Sequence, residues 1–315
     1  MTTDLPAAPR LGLGLAAIGR PAYITRGRAA DLGDPATRSV EALRDRAQDL
    51  LDDAWAAGIR YFDAARSYGA AEQFLGSWLA EHPDRRPAVT VGSKWGYEYV
   101  GGWRTDAAVH ERKDHSPAMF DRQWPLTVSA LGGEPDVYLV HSVTPESPAL
   151  GDPALLGRLR RLADRGVRVG LSTSGPAQRH VLAQALALPD GPFTVVQCTW
   201  NLLEQSAGED LGRAHAAGWL VVVKEVLANG RLTDSAALPS VARLAAADGQ
   251  TMDAFAIGAA LARPWADVVL SGAVTPQQLA SNARARVPDV TGERLRAIAV
   301  SPQRYWTERS ALAWT

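Results

Sequence analysis

Four residues whose side chains can move or hold a proton stand at or near the ends of short apolar runs in this sequence. Asp63 closes IRYFD, Lys94 closes VTVGSK, His141 closes DVYLVH, and Tyr68 follows in DAARSYG. Singly, each has an ordinary reading: a turn or helix-capping aspartate, a packing tyrosine, a structural histidine. Together they compose a proton donor. Hydride delivery to a carbonyl leaves an alkoxide that must be protonated as it forms. A tyrosine hydroxyl can supply that proton, but its free pKa of about 10 is high for working in both directions near neutrality. A neighbouring ammonium is expected to lower it by about two to three pH units, roughly 3–4 kcal/mol, while a carboxylate holds the ammonium in place. An imidazole near the carbonyl oxygen would orient the substrate.

The elements that must position these groups are legible as an alternation. Short β-type runs occur at 11–17, 59–65, 89–95, 136–142, 167–173, 193–200, 219–226 and 267–273. Between them lie stretches rich in Ala, Leu and Arg with helical character, for example 39–58. Gly58, Gly166 and Gly218, with Gly133 close behind, stand where a helix C-cap precedes the next run. The runs are near-continuously apolar, as strands covered on both faces are. Eight strands each followed by a helix give the expected fold, a single (β/α)8 barrel domain over 1–315, with an open doubly wound sheet as the alternative. Longer loops are expected at 96–115 and 226–236, and a tail at 301–315. The first loop carries Tyr97, Tyr99 and Trp103, and with Trp95 and Trp200 these aromatics are the expected walls of a substrate pocket.

Composition excludes some classes. A net charge of −1, with 46% hydrophobic and 21% charged residues, suits a globular enzyme and carries no basic excess for nucleic acid or a membrane surface. The single cysteine, Cys198, cannot form an internal disulfide and lies in an apolar run, VVQCTW, as a buried strand residue would. MTTDLPAAPR has no signal-peptide pattern, and no run of 18 apolar residues occurs, so a soluble cytoplasmic protein is expected. Gly12-Leu13-Gly14-Leu15-Ala16-Ala17 fits a dinucleotide fingerprint, but no strand precedes it and no helix opens in it, so it reads as the first barrel strand. His110, Glu111, Asp114 and His115 read as a solvated loop, and no metal is expected.

The segments GLGLAAIG, GIRYFDAARSYGAAEQFLG, VTVGSKW, DVYLVHS, VRVGLSTS, VVQCTWN and SGAVTPQQLASNARA, in this order, resemble the aldo-keto reductase family across essentially the whole chain. The resemblance implies a nicotinamide cofactor bound without a Rossmann fold, and a small carbonyl or alcohol substrate. Tyr68 is then the general acid, Lys94 and Asp63 tune it, and His141 orients the carbonyl. It also implies that Ser172, Gln197 and Thr173 (in place of the usual Asn) hold the nicotinamide carboxamide. Lys224 falls where many relatives stack an aromatic, Leu227 lies beside the cofactor, and Gly272 to Gln278 and Asn282 adjoin the adenosine end. NADP(H) is the family's default, but Gly272, Thr275 and Gln278 stand where relatives often carry cations for the 2′-phosphate, which makes NAD(H) a serious alternative. Arg284 and Arg286 are candidate substitutes. The N-terminal hairpin that plugs the barrel in some relatives is not evident. An NAD-dependent sugar or secondary-alcohol dehydrogenase, a weakly active nicotinamide-binding regulatory module, and a Schiff-base enzyme using Lys94 are the competing readings.

Overall fold

The computed structural model describes residues 10–315, with the side chains of Arg28 and Ala29 excepted. The chain alternates strand and helix, and eight parallel strands close into a barrel. In chain order the strands are β1 (Leu11–Gly14), β2 (Tyr61–Asp63), β3 (Thr90–Trp95), β4 (Tyr97–Tyr99), β5 (Glu111–Lys113), β6 (Val137–Val143), β7 (Arg168–Thr173), β8 (Val195–Thr199), β9 (Leu220–Lys224) and β10 (Val268–Ser271). The barrel runs β1-β10-β9-β8-β7-β6-β3-β2, and β4 and β5 form a separate antiparallel hairpin. The eight apolar runs are therefore the eight barrel strands, β1 including Gly12 and Gly14. The expectation that no plug hairpin precedes β1 concerns residues 1–9, outside the described residues. No helix among the described residues is long and apolar enough to cross a membrane.

Side chains alternate across each barrel strand. Tyr61, Val137, Leu139, Val195, Leu220, Val222, Val268 and Leu270 point inward and form one cluster that fills the lower barrel. Gly12 belongs to the same layer: a Cβ there would lie 2.8 Å from Leu270 and 2.9 Å from Val268, so the crowded interior requires glycine. The alternate positions, such as Phe62, Val91, Val196 and Val221, point outward and pack under the helices. One step above the apolar layer, the inward positions become polar: Asp63, Lys94, His141, Ser172, Gln197 and Lys224 crown the barrel at the C-terminal ends of six strands.

Helix ends follow from local chemistry. Helix Val40–Ala56 starts where the Ser39 side chain accepts from the Ala42 N–H, and the chain turns into β2 through Gly58 at φ 84°. Gly166 and Gly218 also take positive φ, but after helix Pro117–Leu131 the left-handed residue is Gly132 (φ 72°) rather than Gly133. Beyond β1, Gly19 passes against the turn that carries Tyr68: the Ala70 N–H donates to Gly19 O at 2.8 Å. A Cβ on Gly19 would fall 2.4 Å from Tyr68 O and 2.5 Å from the Ala71 Cβ. Gly19→Ala is expected to cost about 1–3 kcal/mol through overpacking. Thermal unfolding followed by circular dichroism measures this, and an unchanged Tm would show that the two segments separate freely.

Candidate active site

Asp63 and Lys94 occupy adjacent strands, β2 and β3, and meet inside the barrel. Lys94 Nζ donates to Asp63 Oδ2 at 2.5 Å and to Ala64 O at 2.9 Å, and Gln197 Nε2 donates to Asp63 Oδ1 at 2.8 Å. Both charges are buried, so each depends on the other and on these added bonds. Burial pushes the Lys94 pKa down, and the Asp63 carboxylate opposes that.

Tyr68 rises from the turn after β2. Its hydroxyl lies 3.4 Å from His141 Nε2, while His141 Nδ1 lies 3.4 Å from Ser67 Oγ. Lys94 Nζ stands over the Tyr68 ring, 4.6 Å from its centre. The Tyr68 pKa is raised well above its ordinary value, first by burial and then by Asp63, with Arg20 opposing. The expected lowering by Lys94 is therefore not found in this arrangement. The ammonium faces the ring rather than the oxygen, and Asp63 neutralises it at close range. His141 is held well below the usual imidazole range by burial, then by Lys94, Lys224 and Arg20. It is accordingly a neutral ring that can donate one hydrogen bond, with its tautomer set by its partners.

These groups open onto a cleft of about 1580 Å³, its mouth included. Of the residues expected at the site, Asp63, Tyr68, His141, Tyr97, Gln197, Lys224, Leu227, Gly272, Gln278 and Asn282 line it. Lys94 lies behind Asp63. Ser172 and Thr173 do not line the cleft: Ser172 Oγ accepts from the Ser142 N–H at 2.7 Å, and Thr173, one step along the alternation, faces outward to Cys198 at 3.1 Å. Ser142 and Ser174 line the cleft instead. Thr275 caps helix Pro276–Ala283 by accepting from the Gln278 N–H at 3.2 Å.

Four of the expected aromatic walls lie elsewhere, Tyr99 among them, whose hydroxyl accepts from the Trp103 N–H at 3.2 Å. Trp95 is the outward neighbour of Lys94 and packs edge-on against Phe120. Trp200 shares the outward parity of Cys198 and meets Trp265 edge-on. Trp103 donates to Arg38 O at 2.8 Å behind the Gly69 turn. The aromatic wall is instead Tyr97, Tyr23 and Trp314. Residues 96–115 hold the β4–β5 hairpin rather than an open loop. Within them Glu111 pairs with Arg20 at 2.8 Å, His110 stacks on Trp314 at 4.4 Å, and His115 contacts His141 O at 2.7 Å. Asp114 accepts from the Ser116 N–H at 2.8 Å ahead of helix Pro117–Leu131. Segment 226–236 lines the cleft through Val226, Leu227, Asn229, Gly230 and Thr233.

The C-terminal residues fold over the mouth. Thr315 and Tyr23 exchange backbone hydrogen bonds, each at 3.1 Å, which brings Trp314 into the cleft wall. Arg309 of helix Pro302–Ser310 pairs with Glu225 at 2.6 Å. Arg20, Glu225 and Arg309 were not identifiable from sequence, since the ion pairs that hold them join positions more than 80 apart. The only hint was an acidic residue directly after Lys224.

A closed barrel with polar groups converging at the C-terminal ends of its strands, beside an open cleft, defines an enzyme of the barrel class. The aldo/keto reductase family model matches residues 29–299. The chain belongs to the aldo/keto reductase family, oxidoreductases that act on carbonyl groups of small molecules with nicotinamide cofactors. No curated protein matches it. Among solved structures, a Pseudomonas aeruginosa protein assigned to the aldo-keto reductases is 22% identical with a TM-score of 0.63, covering 90% of this chain and 92% of that one. The glycerol dehydrogenase of Gluconobacter oxydans is 21% identical with a TM-score of 0.67 (94% and 93%). An aldo-keto reductase of Bacillus halodurans in its holo form is 18% identical with a TM-score of 0.66 (96% and 92%). At these identities the structural matches bear on the fold alone.

Arg309 holds the Glu225 carboxyl down at about 2, against an ordinary value of 4.5, overcoming burial. A depressed carboxyl stabilises the fold fully above its unfolded pKa, and that contribution is lost as pH falls toward the folded value. The difference in Tm between the protein and Glu225→Gln is therefore expected to be constant above pH 5 and to shrink steadily below about 4.5. A difference independent of pH would show that the strap acts without its charge.

Proposed function

We propose that the protein is a nicotinamide-dependent oxidoreductase that reduces the carbonyl of a small aldehyde or ketone, with Tyr68 as the general acid. The observation that carries this reading is the pairing of the Tyr68 hydroxyl and His141 Nε2, 3.4 Å apart at the cleft, above the Lys94–Asp63 pair. The residues present fit a dinucleotide: the cleft runs from Tyr68 past Lys224 and Leu227 to Gly272 and Asn282, and a Cβ on Gly272 would meet nothing within 4 Å. Lys224 has no ion-pair partner among the described residues, which suits an anionic or strongly accepting group of a ligand. A bound reduced nicotinamide supplies the hydride. Gln197, Lys224 and Leu227 would hold it beside Tyr68, and Gly272, Gln278 and Asn282 would flank its far end.

The chain's own part is to place the carbonyl and supply the proton. Neutral His141 donates a hydrogen bond to the carbonyl oxygen and so fixes its position beside Tyr68. As charge develops on that oxygen, the Tyr68 O–H proton moves to it, and the phenolate left behind is favoured by Arg20, whose guanidinium lies over the Tyr68 ring. Asp63 keeps Lys94 in place but also opposes phenolate formation, so the resting hydroxyl is firmly protonated. That state favours reduction. Alcohol oxidation at the same site would need the phenolate first. The intact geometry of the four groups speaks against a module without turnover.

The expected outcome is that Tyr68→Phe lowers kcat for carbonyl reduction about 10²–10⁴-fold while dinucleotide binding is retained. Because the Tyr68 pKa is raised, reduction by the unaltered protein should show no Tyr68-dependent fall between pH 6 and 9, and alcohol oxidation should accelerate as pH rises. Steady-state kinetics in both directions, with tryptophan quenching for binding, measures each part. Full activity in Tyr68→Phe would remove the assignment.

A further inference from the structure

This inference rests on the reading of the cleft as a dinucleotide site. With the nicotinamide against Tyr68 and His141, the remainder of an extended dinucleotide must reach the other end of the cleft. There Gly272, Gln278 and Asn282 face Asp253, from helix Met252–Leu261. In the orientation that satisfies both ends of its amide, Asn282 accepts from Ser271 Oγ at 2.8 Å and donates to Asp253 Oδ2 at 2.9 Å and to Gln278 O at 3.2 Å. One oxygen of Asp253 is thereby anchored, and the other has no donor among the described residues.

The cations that could offset this carboxylate are engaged elsewhere. Arg26, on the lip of the cleft, pairs with Asp234 at 3.2 Å, and Arg286 pairs with Asp248 at 3.2 Å. Arg284 does not line the cleft. Asp31 is a separate carboxylate that also lines the cleft. This end of the cleft therefore offers acceptors and negative charge. A ribose 2′-hydroxyl donates to such a group, whereas a 2′-phosphate brings two further negative charges against it. We propose that Asp253 selects NAD(H) against NADP(H) by accepting a hydrogen bond from the adenosine ribose and repelling the 2′-phosphate.

The test is a set of tryptophan-quenching titrations with NADH, NADPH, 5′-AMP and adenosine 2′,5′-bisphosphate. They are run on the unaltered protein, Asp253→Asn, Asp253→Ala and, as a lip control, Asp31→Asn. NADH and 5′-AMP should bind at least about tenfold more tightly than their 2′-phosphorylated counterparts, as expected for a like charge at contact. Both Asp253 variants should narrow that ratio about tenfold, chiefly by tightening the phosphorylated ligands, and Asp31→Asn should leave it unchanged. Preference for NADPH in the unaltered protein, or an unchanged ratio in both Asp253 variants, would overturn the role of Asp253 and leave the dinucleotide site standing. Binding of none of the four ligands would overturn the dinucleotide reading itself, and this inference with it.

Discussion

The contact on which the rest of the site depends is the Lys94–Asp63 pair inside the barrel. An ammonium with no solvent exposure is tolerable only beside a carboxylate whose other oxygen is also bonded, here by Gln197. The requirement fixes three strands relative to one another, since β2, β3 and β8 each supply one partner. It also fixes Tyr68, because the ring lies against the Lys94 ammonium and its turn is clasped by Gly19. His141 completes the group from β6, and heavy burial with three cations nearby, Lys94, Lys224 and Arg20, keeps its ring neutral. Hydrogen-bond donors of defined charge state thus face a single point at the edge of the cleft. That is the condition for stabilising charge as it appears on an oxygen.

Much of this was legible because a barrel imposes period two on every strand. The apolar runs gave eight strands, and polar residues at the ends of inward registers gave Asp63, Lys94, His141, Ser172, Gln197 and Lys224. The same period explains the failures. Trp95, Thr173 and Trp200 follow the polar position by an odd number of steps, so their side chains point into the helix layer. Counting parity from Lys94 or Cys198 would have found this without coordinates. Ser172 has the right parity, yet the chain spends its hydroxyl on the Ser142 backbone, where φ is 53°.

The contacts that hold the closure over the barrel were not legible. Arg20 touches Glu111, Arg309 touches Glu225, and Trp314 lies between His110 and Tyr23; no local pattern links such distant positions. The hydrophobic period that marks strands and helices carries no information about loops, which are held by individual polar pairs. The raised Tyr68 pKa was not legible for a related reason. The sequence showed that a lysine and a tyrosine share a site, but not that the ammonium would meet the ring face with its charge already taken by Asp63.

Isotope transfer tests the central claim most directly. NADH and NADPH carrying deuterium at the transferable C4 position would be incubated with the protein and glyceraldehyde or benzaldehyde, and the alcohol analysed by mass spectrometry. Deuterium on the former carbonyl carbon is the expected result, and it would establish hydride delivery from the nicotinamide to the carbonyl. Unlabelled alcohol or none, together with borohydride-trapped substrate on Lys94, would contradict it and make Lys94 an imine-forming amine rather than a partner of Tyr68.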